Sequence, residues 1–92
     1  MNIKPISTTD RLKQMGLPPD IWLRASLLCN NLRLAEDAFE LAVEVARSSG
    51  VLDGLRIANA IDDTQHKQVQ GLFDQIAERT RSQHEAQAEP SS

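Results

Sequence analysis

Ninety-two residues with a formal charge of −3 make one domain, near the size at which a single core is just sufficient. Ten Lys and Arg are mixed with thirteen Asp and Glu, so no segment is basic enough to bind nucleic acid by charge alone, nor acidic enough to mimic it. The aromatics are only Trp22, Phe39 and Phe73, so a core must come from Leu, Ile, Val and Ala, which suits helices packed on helices.

The opening "MNIKPISTTD" has no apolar run of the signal-peptide kind, and residues 1–7 read as a lead-in. Thr8 or Thr9 can cap a short helix over about 9–15, which Gly16 ends in a left-handed conformation. "LPPD" is a turn, and Pro19 or Asp20 opens the next helix: proline fits its first turn and an acid there suits the dipole.

At 100° per residue, one side of the following stretch holds Ile21, Ala25, Leu28, Leu32, Ala35, Phe39, Ala42 and Ala46. A neighbouring stripe holds Leu27, Leu34, Ala38, Leu41 and Val45, and charged residues fill the opposite side. The phase does not slip at Asn30-Asn31, so the pattern predicts one continuous helix over about 19–49, stopped by Gly50. Such a helix would span roughly 46 Å, against a diameter of about 32 Å for a compact chain of this length. Its apolar arc, close to about 200°, is wider than one neighbour covers, so self-association is the economical way to bury the remainder.

"VLDGLRIANAI" predicts a shorter helix, and Asp62-Asp63-Thr64 supply a turn and caps. A last helix runs from about 64 to the mid-80s with Val69, Leu72, Phe73 and Ile76 as its seam. The seam fades at Thr80, and residues 82–92 read as a polar, frayed tail, leaving 1–81 as the single helical domain. The expected fold is an all-α small helical bundle built on one long central helix, with a short helix and a second long helix packed against it.

Chemistry is sparse. Cys29, His66 and His84 have no metal-ligand spacing, and Cys29 falls near the polar side of its helix as a half-exposed spectator thiol. A lone cysteine excludes an internal disulfide and fits a reducing compartment, and no run of about 18 apolar residues exists to span a membrane. The expectation is a cytoplasmic protein with no catalytic residues, no metal and no cofactor. "FELAVEVARSSG" resembles part of the long first helix of the helical chorismate mutases. Where that family places cationic side chains, this chain has Ile21, Ala38 and Ser49, so no activity is carried over.

Two function classes remain. Arg24 and Asn31 interrupt the apolar arc seven residues apart, as polar positions at packed seams do when they set register or oligomeric state. Trp22 lies on the polar side, either under the 9–15 helix through Leu12 and Met15 or free as an anchor for another protein. The first reading is a non-catalytic protein–protein interaction module, a homodimer acting as adaptor, regulator or inhibitor. Its surface would comprise Trp22, Arg24, Leu27, Asn31, Leu34, Ala38, Leu41 and Val45. The alternative rests on "LRIANAIDDTQHKQVQGLF", which resembles a helix-turn-helix DNA-binding regulator. Gln65, His66, Gln68 and Gln70 would then read bases, with Lys67 and Arg79 on phosphates.

Overall fold

The computed structural model describes residues 8–88, which form four helices: α1 (Thr8–Lys13), α2 (Pro19–Leu34), α3 (Ala38–Ile57) and α4 (Asp63–Ala88). The chain is an all-α bundle, with no strand among the described residues. The expected lead-in, 1–7, lies outside them.

The single helix expected over 19–49 is not formed. It divides at Ala35–Asp37, several residues beyond Asn30-Asn31. Asp37 is extended (φ −146°, ψ 176°) and its Oδ1 accepts the Glu40 N–H at 2.8 Å, capping α3. Glu40 Oε2 in turn accepts the Glu36 N–H at 2.7 Å. Together these groups satisfy backbone donors that an unbroken helix would have bonded internally.

The break also exchanges the buried stripe. α2 buries Ala25, Leu28 and Leu32 and leaves Leu27 and Leu34 exposed. α3 buries Leu41 and Leu52, half-buries Val45, and leaves Phe39, Ala42 and Ala46 exposed. The broad apolar arc is therefore two ordinary stripes, each used by one helix and abandoned by the other.

Gly50 does not end a helix. α3 runs through Gly50 and Gly54, and a Cβ built at either meets nothing within 4 Å. The stop is Asn59, the one described non-glycine residue at positive φ (60°). Around it Asn59 N–H bonds Arg56 O at 3.1 Å and Ala60 N–H bonds Leu55 O at 2.9 Å, the pair of bonds that closes a left-handed helix end. Glycine is thus an unfavourable interior residue at position 50. We predict that Gly50→Ala raises stability by about 0.5–1 kcal/mol in urea unfolding, whereas a helix-stopping glycine would be destabilised by the same change.

α4 opens with a reciprocal cap. Asp62 Oδ1 accepts the Gln65 N–H at 2.7 Å, and Gln65 Oε1 accepts the Asp62 N–H at 3.0 Å. The same Gln65 side chain donates to Met15 O and Gly16 O, both at 3.3 Å, tying the α1–α2 turn to the start of α4. Gly16 has φ 71°, the left-handed end expected for α1.

Near this end of α4, His66 Nε2 lies 2.9 Å from Asp53 Oδ1, and Arg56 bonds Asp63. At the far end His84 Nε2 lies 2.7 Å from Ala35 O, just past α2. α4 is therefore antiparallel to α3 and parallel to α2. Its seam, Val69, Leu72, Phe73 and Ile76, is buried as expected and continues through Ala77 and Thr80, whose hydroxyl bonds Ile76 O at 3.0 Å. Residues 82–88 are helical and His84 packs into the bundle, so the frayed tail does not begin at 82. Residues 89–92 lie outside the description.

Principal extents of 52 × 39 × 18 Å make the molecule about two helix layers thick. Each helix can then keep one side on the core and one side open. α1 lies across the polar side of α2, with Leu12 fully buried beneath it.

Candidate protein-interaction surface

Where α2 meets α3, the two abandoned stripes come together. Asn31, Leu34 and Ala35 from α2 and its end face Phe39, Glu40, Val43 and Glu44 from α3 across an open groove of about 460 Å³. Its apolar walls are uncovered: Leu34 is 67% exposed, Phe39 71% and Val43 41%, and Leu27, 53% exposed, continues the α2 wall two turns before Leu34. Exposed apolar residues scattered singly are ordinary, whereas a joined patch rimmed by polar groups marks an interaction surface.

The polar residues of the groove are distinctive. The Asn31 amide makes no hydrogen bond within the described chain. Glu44 Oε1 accepts from Arg47 at 2.9 Å, while its Oε2 is shielded from solvent with no donor. With Glu36, Asp37 and Glu40, this gives four carboxylates at one corner, of which Glu44 alone has a cationic partner among the described residues. Arg24 is exposed and unpaired. It borders, with Ile21, Leu28 and Val51, the small space between α2 and α3.

The structure divides the eight residues expected at an interface. Leu27, Asn31, Leu34 and Ala38 lie on the open face with Arg24 at its edge. Leu41 is buried (2% exposed) and Val45 packs against the core, because α3 turns the second stripe inward after the break. Trp22 is taken up within the chain: its Nε1–H donates to Thr9 O at 3.3 Å and Lys13 Nζ stands 5.4 Å from the ring centroid, so α1 folds back over it. Periodicity places Phe39 on the apolar arc of a continuous helix and does not single out Val43. The capping pair Asp37-x-x-Glu40 was the sequence signal that could have exposed them.

Three of the six residues considered for DNA readout have intramolecular partners. Gln65 is committed to the α4 cap and the α1–α2 turn, His66 to Asp53, and Gln70 to Asp74 at 2.8 Å. Lys67 and Gln68 share a shallow surface with Asp74 and Glu78, and Arg79 lies beside Arg11 on an adjoining one. Asp62 and Asp63 stand at the helix start that would approach phosphate, and the Arg56 guanidinium holds the Asp63 carboxyl below the usual carboxylate range.

Cys29 is buried rather than half-exposed (2%), since α1 covers the side of α2 that carries it. Burial pushes its thiol up to about 11, against smaller opposing effects of Arg33 and Arg11, which makes it a poor nucleophile. Among the described residues no three His, Cys, Asp or Glu stand together as a metal site, and no helix is long and apolar enough to cross a membrane.

Fold and surface together define a small helical bundle with an open apolar face at the α2–α3 corner. The chain matches no known protein family, no curated protein and no solved structure.

Proposed function

We propose that this chain is a non-catalytic protein–protein interaction module that self-associates through the α2–α3 face, acting in a reducing compartment such as the cytoplasm as a small adaptor, regulator or inhibitor. The observation that carries the reading is the joined apolar face of Leu27, Leu34, Phe39 and Val43, left open where α2 meets α3.

Magnitudes set the strength of the contact with a second copy. The four side chains present roughly 400 Å² of accessible surface. Burying about half of it on each of two copies contributes on the order of 10 kcal/mol at about 25 cal/mol per Å². Association costs about 4–15 kcal/mol, so the surplus is at most about 6 kcal/mol and the dimer belongs to the weak, reversible class, with a Kd of roughly tens of micromolar or above.

A folding equilibrium linked to such a dimer makes thermal stability depend on concentration. The midpoint of thermal unfolding is expected to rise by several degrees over a roughly hundredfold increase in protein concentration. A midpoint that stays fixed over that range would count against self-association.

A further inference from the structure

Resting on that reading of the face, we infer that the second copy binds antiparallel, α2 against α2 about a two-fold axis, with Arg24 of each copy entering the acidic corner of the other. The face carries opposite charge at its two ends. Arg24, unpaired, stands near the start of α2, and Glu36, Asp37 and Glu40 stand just past its end, with Glu44 in the groove behind them. Between the two ends lie Leu27 and Leu34, both more than half exposed.

A two-fold axis crossing α2 between Asn30 and Asn31 reverses the helix onto itself. It sets Leu27 on Leu34 of the second copy, and points the Arg24 end of each α2 towards the chain just past Leu34 of the other, where Glu36, Asp37 and Glu40 stand. A closed dimer requires a patch that is complementary to itself, and this register meets that condition by setting leucine on leucine and opposite charges at the two ends. A parallel pairing instead places Arg24 on Arg24 and the acidic corners on each other.

The flank of α2 is also the correct one. Arg24 and Asn31 are seven residues apart, so they fall within about 20° of each other on the helix. Asn31 lines the groove, and Arg24 therefore projects along the same edge towards the groove of the second copy. In antiparallel pairs matching flanks meet, which brings this guanidinium to the free oxygens of Asp37 and Glu40, each of which uses one oxygen as a cap. The axis also brings the two Asn31 amides, unbonded within the monomer, to the centre of the contact, where a polar pair fixes register.

The test is a charge exchange in the full-length chain, read as mass against concentration, with circular dichroism confirming helix content. Arg24→Glu alone and Glu40→Arg alone each leave two like-charge contacts and are expected to weaken association at least about tenfold. An equimolar mixture of the two restores both pairs in a mixed dimer and is expected to recover most of the wild-type association. Glu36→Arg, which leaves the caps intact, serves in place of Glu40→Arg if that variant loses helix. A wild-type dimer that ignores Arg24→Glu, or a mixture no stronger than its components, overturns the antiparallel arrangement while self-association stands. A wild type that remains monomeric overturns both and leaves the face to a different protein.

Discussion

The double variant Leu34→Glu, Phe39→Glu is expected to stay folded and to lose concentration-dependent association by about 100-fold or more in Kd. Both side chains are more than two-thirds exposed, so neither replacement opens a cavity or strips a core contact. Phe39 sits in the first turn of α3, two residues after the Asp37 cap, where a carboxylate interacts favourably with the helix dipole. The isolated bundle should therefore lose no helix. In a dimer the same changes place four carboxylates at the contact, beside an already acidic corner, where each must be desolvated without a cation to receive it. A roughly 100-fold loss corresponds to about 2.7 kcal/mol, small for that many buried charges. Sedimentation velocity over a dilution series reads the change, and a variant that sediments as the wild type does would remove the face from the account.

Phe73→Ala tests the opposite side of the bundle and should be the most damaging single replacement to stability. Phe73 is 2% exposed and faces Ile21 and Leu28 of α2 and Val51, Leu52 and Leu55 of α3 around a residual space of only about 10 Å³. Removing the ring loses contacts with two other helices at once. The cost is about 3–5 kcal/mol, against a total stability of about 5–14 kcal/mol for a chain of this size. Thermal denaturation should show a midpoint lowered by roughly 15–30 °C, or no cooperative transition at all. A loss below about 1 kcal/mol would mean that the three helices do not meet at this ring.

These two residues also show what was legible in the sequence. Phe73 belongs to a seam at helical spacing on one helix with one neighbouring layer, and periodicity places such residues well. The α1 stop at Gly16 was readable for the same local reason: a glycine followed by "LPPD" leaves the chain little choice. Phe39 was misplaced because periodicity reports which residues share a side, not which side is buried. Two stripes in register over 19–49 look like one wide stripe, and only the Asp37-x-x-Glu40 pair marks where burial passes from one to the other.

Gly50 misled in the complementary way. A glycine ends a helix only where the backbone takes a left-handed turn, and here Asn59 takes it instead. The excess length that first argued for self-association disappears with the break. What replaces it is an apolar face seen directly at Leu27, Leu34, Phe39 and Val43. Arg24 and Asn31, the polar exceptions on the predicted arc, stand at the edge of the uncovered side of α2, Arg24 exposed and Asn31 half-buried.

The central claim is that the α2–α3 face is covered by a second copy in solution. Light scattering of the wild-type chain across a dilution series measures this most directly. The account predicts a mass approaching twice the 10.2 kDa of one chain at high concentration, falling towards a single chain below roughly tens of micromolar. A mass of one chain at every concentration would contradict it.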